Sequence, residues 1–180
     1  MKKLFVLLLV FCMLFMTACG TPTPTEALKA DMENAKSNPE EILSDVGDDG
    51  FGEEANKLLI DKILEFDYEL GEEVINEEKG TATVETTITT YPFGDMLSSM
   101  MKKLISEVFA NPNMTDDQLN ARMDALLTDG LKNLKKSYTK TIKIKLTLDD
   151  GQWVVEESDE MADALTGGML SWAESINNAN

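Results

Sequence analysis

Histidine is absent from the 180 residues, and only two cysteines, Cys12 and Cys19, are present. Without an imidazole, the serine-histidine-aspartate and cysteine-histidine nucleophiles are excluded, and the commonest zinc ligands are missing. Basic residues are scarce too, 16 against 33 acidic ones, and the net charge of −17 describes a surface that repels nucleic acid. No glycine-rich loop is arranged to cradle a phosphate. Carboxylates are in surplus, so almost any spacing between two of them arises by chance and no acid-base pair stands out. No catalytic residue, metal site or cofactor is therefore expected, and an enzyme working through carboxylates is the least favoured function class.

What is present begins with an N-terminal apolar run. Lys2 and Lys3 precede it, residues 4–15 form it, and Met16-Thr17-Ala18-Cys19 closes it. This is the layout of a bacterial secretory signal. The apolar stretch falls short of the roughly 20 residues a membrane-spanning helix needs. The closing residues resemble the lipobox of bacterial lipoproteins, with Met16 standing where leucine is usual. That resemblance implies cleavage after residue 18, diacylation of the Cys19 thiol, and a chain held on the extracytoplasmic face of the cell membrane. Two acyl chains anchor stably where one gives reversible binding. Cys12 lies in the discarded segment, so no disulfide is expected.

Removing Lys2 and Lys3 takes the net charge from −17 to −19. Residues 20–25, Gly-Thr-Pro-Thr-Pro-Thr, form a proline-stiffened tether with a reach of roughly 20 Å. Acidic repulsion is then expected to hold the body off an anionic membrane. The 155 residues that follow, 26–180, suit one domain with its own core. Charge is uneven along it, with 18 acidic residues and four lysines in residues 26–78. Lys132, Lys135, Lys136, Lys140, Lys143 and Lys145 concentrate the basic side. Neutralisation of acidic neighbours explains that cluster more simply than an anion site does.

In chain order, Thr23 or Thr25 caps a first helix running to residue 36, and Pro39 ends it. A short helical turn at 40–46 leads to a glycine-rich acidic loop. A calcium-loop template started at Asp45 places Gly47 at position three and Asn56 at position twelve, so the bidentate glutamate is missing. The spacing of Ala55, Leu58, Leu59, Ile63 and Phe66 predicts a helix over 53–66. Tyr68, Leu70 and Val74 suggest a strand. The alternation of Ala82, Val84, Thr86 and Ile88 against Thr83, Glu85, Thr87 and Thr89 marks another over 81–91.

Two helices interrupt the strands across residues 93–136. Met96, Leu97, Met100, Met101, Leu104, Ile105, Val108 and Phe109 fill one side of the first. Thr115 and Gln118 form a capping box for the second, whose stripe runs Leu119, Met123, Leu126, Leu127, Leu131 and Leu134. Gly130 inside that stripe points to a bend or a close contact. A hairpin follows: Tyr138, Ile142, Ile144, Leu146 and Leu148 face inward, Asp149-Asp150-Gly151 turns, and Trp153 and Val155 continue the buried face. A short helix at 160–165, the pair Gly167-Gly168 and an amphipathic tail complete the chain.

Consecutive strands without a βαβ rhythm predict an α+β fold. Its N-terminal helices pack on a curved antiparallel sheet, and a helical hairpin is inserted between strands. The segments GTATVETTITT, KTIKIKLTLDDGQWVV and ADALTGGML resemble the nuclear-transport-factor-2-like cone fold, and in particular its bacterial lipoproteins, over residues 53–170. The resemblance implies a non-catalytic module that binds a small molecule or peptide, with Tyr91, Tyr138 and Trp153 as the candidate ligand pocket. The bland alternative makes these aromatics core. A second function class is a surface protein docking an envelope partner, through Met96, Met100, Met101, Met114 and Met123.

Overall fold

A computed structural model describes residues 21–38 and 52–178. The signal-like segment, Cys19, the helical turn expected at 40–46 and the acidic loop with Asp45 lie outside the described residues. The fold is α+β, with six helices and a four-stranded antiparallel sheet among the described residues. The helices are α1 (Pro24–Ser37), α2 (Glu53–Leu64), α3 (Phe93–Ala110), α4 (Asp116–Asn133), α5 (Asp159–Leu165) and α6 (Met169–Asn177). The strands β1 (Asp67–Asn76), β2 (Thr81–Thr90), β3 (Tyr138–Asp149) and β4 (Gln152–Val155) lie side by side in sequence order. Among the described residues no helix is long and apolar enough to cross a membrane.

Local chemistry explains most boundaries. Thr23 accepts the Glu26 N–H while Glu26 accepts the Thr23 N–H, a capping box with Pro24 in the first turn of α1. Thr115 and Gln118 make the same reciprocal pair at the start of α4. Asp150 and Gly151 both take positive φ, 47° and 79°, the twist a two-residue hairpin turn needs to join β3 to β4. Across that turn Leu146 faces Val155 and Leu148 faces Trp153.

Contacts group the described residues into two compact units, each drawing on parts of β1, β2 and β3. The first comprises residues 21–38, Leu70–Glu85 and Lys143–Glu156. Its buried side chains are Pro24, Leu28 and Met32 of α1, Ala82 and Val84 of β2, and Ile144 and Leu146 of β3. Helix α1 packs on β4, and Glu73 receives both the N–H and the hydroxyl of Thr25, at 2.8 and 2.6 Å. Leu148, expected inward, is 44% exposed, and Val74 of β1 is 53% exposed. Both lie near hairpin turns, where water replaces the packing layer.

The second unit comprises residues 52–69, Thr86–Ile142 and 157–178. Its core gathers Ala55 of α2, Tyr91, Phe93, Met96, Leu97, Met100 and Leu104 around α3, and Leu126, Leu127 and Leu131 of α4. Helices α3 and α4 form the hairpin between β2 and β3. Gly130 provides a close contact, since a Cβ there would meet the Met96 side chain at 3.1 Å. One expectation fails at the hairpin tip. The α3 stripe stays buried only through Leu104, while Ile105, Val108 and Phe109 are 48%, 38% and 83% exposed. The stripe is longer than the core available to cover it.

Candidate functional site

The structure does not bring Tyr91, Tyr138 and Trp153 into one described site. Trp153 is half-buried on β4 in the first unit, and both tyrosines belong to the second. Tyr91 is committed to packing. It is buried, its ring lies 6.0 Å from that of Phe93, and the Lys62 amine sits 4.1 Å above its face. Its hydroxyl donates to Glu65 at 2.5 Å, and that bond, with burial and the Glu65 charge, pushes its pKa up to about 12. A phenol held this way is a structural tie between the end of β2 and the end of α2.

Tyr138 stands in different surroundings. It is half-buried at the first position of β3, and its ring lies against Gly168, where an added Cβ would fall 3.4 Å from the ring edge. Gly168 follows Gly167, and the two take φ of 81° and 54° in the turn between α5 and α6. Only glycine adopts such a pair without strain. Burial, then the negative charge of Asp163, pushes the Tyr138 phenol up.

Asp163 is buried on α5, and both of its carboxylate oxygens are used. One accepts the Ser171 N–H at 2.8 Å, the other the Lys140 amine at 3.2 Å. Burial alone would raise the Asp163 pKa, but the Ser171 and Lys140 contacts outweigh it and hold the carboxyl below its ordinary value. The same pairing outweighs burial at Lys140 and raises that amine. Lys140 is thus neutralised by an acidic neighbour, as expected for the basic stretch, though its partner is buried. Of the other lysines there, Lys132 pairs with Glu54 at 2.6 Å and Lys136 with Asp67 at 2.8 Å, so neutralisation of acidic neighbours accounts for them.

Strand register adds a residue that sequence reasoning missed in this role. Thr87 meets Thr141 and Thr89 meets Thr139, hydroxyl to hydroxyl at 2.9 and 3.1 Å on the outer face. That pairing sets Thr90 against Tyr138 on the inner face. Thr90 is fully buried, and its hydroxyl has no hydrogen-bond partner. An unmet buried hydroxyl costs about 1–3 kcal/mol. The alternation through residue 90 was legible; the missing partner is a tertiary fact. Thr90, Tyr138, Lys140 and Asp163 thus bring a free buried hydroxyl, a phenol and an ion pair to one end of the second unit.

The methionines proposed for partner docking turn largely inward. Met96 and Met100 are core residues, Met101 and Met123 pack against that core, and Met114 is half-buried at the hairpin turn. Cys19 lies outside the described residues.

No protein-family model matches the chain, and no curated protein matches it. Among solved structures the chain is similar to a candidate lipoprotein (ycdA) of Bacillus subtilis, with 16% sequence identity and a TM-score of 0.43. The match covers 78% of this chain and 46% of that one, so the chain spans less than half of that protein's length.

Proposed function

We propose that the chain is a lipid-anchored, extracytoplasmic and non-catalytic binding module of the nuclear-transport-factor-2-like kind. Cys19 carries the acyl chains, and the second unit holds a small hydrogen-bonding ligand or peptide group. The observation that carries the binding half is the Thr90 hydroxyl, fully buried beside Tyr138 with no partner. A ligand atom that meets it recovers a hydrogen bond the folded chain otherwise forfeits. Tyr138 supplies a second donor, and its shifted phenol stays protonated at neutral pH. The absence of histidine and of a nucleophile motif favours binding over turnover.

The experiment is native mass spectrometry on the full chain extracted from membranes in mild detergent. Acyl mass on Cys19 together with a bound small molecule is expected, and Thr90→Val should release the molecule from a chain that remains folded. A folded Thr90→Val protein that keeps its bound mass, or a wild-type chain with none, overturns the binding reading. A chain without acyl mass overturns the anchor.

A further inference from the structure

Thr90, Tyr138 and Lys140 bring hydrogen-bond donors to the inner face of the sheet in the second unit. Tyr138, Lys140 and Ile142 share that face of β3, because the residues that alternate with them are exposed. The Thr87–Thr141 and Thr89–Thr139 pairs set Thr90 opposite Tyr138, and beside them the Ser137 N–H donates to the Thr90 carbonyl at 3.1 Å. Thr90 is fully buried, and its hydroxyl is unmet. Among the described residues the Tyr138 hydroxyl makes no hydrogen bond. Lys140 spends one of the three N–H groups of an ammonium, on Asp163 at 3.2 Å.

Charge narrows what these groups can hold. The buried Asp163 carboxylate is engaged at both oxygens, by the Ser171 N–H and by Lys140. An anionic group entering here would meet the Asp163 charge, with the exposed Asp95 and Glu160 adding to it at the margin, while Lys140 is already paired. A cationic group would meet the Lys140 charge and would have only hydroxyl oxygens to donate to. An uncharged amide suffers neither repulsion. Its carbonyl oxygen accepts from hydroxyl and ammonium donors, and its N–H finds a hydroxyl oxygen, since threonine and tyrosine both donate and accept.

We infer that the ligand presents an uncharged amide to this site, its carbonyl oxygen accepting from the Thr90 and Tyr138 hydroxyls, with Lys140 as a third donor. This rests on the binding reading above and names the chemistry that the site takes. Peptides and small amides share that chemistry. Burial sharpens the choice. An ionised group brought to the enclosed Thr90 hydroxyl would give up its water without an opposite charge in return, whereas an amide exchanges water for the donors that are waiting. Tyr138 and Lys140 are half-buried, so the way to the Thr90 hydroxyl runs past them.

The test compares three planar probes of the same size and different charge: acetamide, acetate and acetamidinium. The full chain in mild detergent, dialysed free of small molecules and carrying ¹³C-labelled threonine and tyrosine, is titrated with each by NMR. Acetamide is expected to shift the Thr90 methyl and Tyr138 ring signals to saturation, and the two ions to leave them unmoved at equal concentration. Thr90→Val and Tyr138→Phe keep the side-chain shape. Each should weaken acetamide about tenfold, the loss of one hydrogen bond, read at the signal that remains. Acetate or acetamidinium binding as well as acetamide, no saturable acetamide shift, or shifts that both variants leave unchanged would overturn the amide. The binding reading fails separately: a bound mass on the undialysed chain that Thr90→Val releases keeps it standing even then. Fragmenting that mass gives amino-acid residues if the amide comes from a peptide and an amide without them if it comes from a small molecule. A bound mass with no amide overturns the inference and leaves the site a binding site of another kind.

Discussion

Asp163 accepts the backbone N–H of Ser171 at 2.8 Å, and so caps a helix it does not belong to. Helix α6 begins after Gly168, whose left-handed backbone supplies no side-chain oxygen for the first turn. The carboxylate comes instead from α5, one glycine-pair turn earlier. The negative charge stands at the positive end of the α6 dipole, and Lys140 balances it from β3.

Replacing Asp163 should therefore loosen α6 as well as remove an ion pair. Asp163→Ala is expected to lose about 2 kcal/mol, and Asp163→Asn, which keeps one oxygen for Ser171, about half of that. Acid sensitivity follows from the lowered carboxyl. Its contribution is complete above the unfolded value of roughly 3.9 and is lost as pH falls through the lower folded value. Urea melts between about pH 6 and pH 2 should show wild type losing this increment while Asp163→Asn does not. Parallel curves for the two proteins would refute the role.

Tyr91 should be the last phenol to ionise. Absorbance titration of the three tyrosines is expected to show a component near pH 12 that disappears in Tyr91→Phe. The folded state holds this proton more tightly than the unfolded chain does. The stability involved is full below about pH 10 and is lost as pH rises toward 12. At neutral pH, Tyr91→Phe should cost only about 1 kcal/mol, because Glu65 is exposed and recovers water.

Two glycines on the hairpin helices should respond in opposite ways to alanine. At Gly94, whose N–H donates to the Gly167 carbonyl at 3.0 Å, a Cβ would strike the Gly168 backbone oxygen. Backbone cannot step aside, so Gly94→Ala is expected to lose about 2–3 kcal/mol in chemical denaturation. At Gly130 the obstacle is the flexible Met96 side chain, and helix propensity returns about 1 kcal/mol. Gly130→Ala should consequently change stability by less than about 1 kcal/mol. Similar losses at both sites would mean that Met96 is as immovable as backbone.

The sequence by itself determined what short-range rules control. The capping box at Thr115, a threonine cap at residue 23 or 25, the alternation along β2, the Asp150-Gly151 turn and the α+β class all follow from residues a few positions apart. Each depends on local geometry that the residue types dictate wherever the segment lies. Tertiary structure decided the rest. Only the register of β2 against β3 puts Thr90 beside Tyr138 and leaves its hydroxyl unmet, and only the α5–α6 turn returns Ser171 to Asp163. The same limit applies to the α3 stripe: periodicity marked eight residues as one apolar face, but how far a core extends to cover that face is a property of the elements packed around it. Burial is a sum over distant neighbours, which is why Leu104 is inside and Phe109 is not.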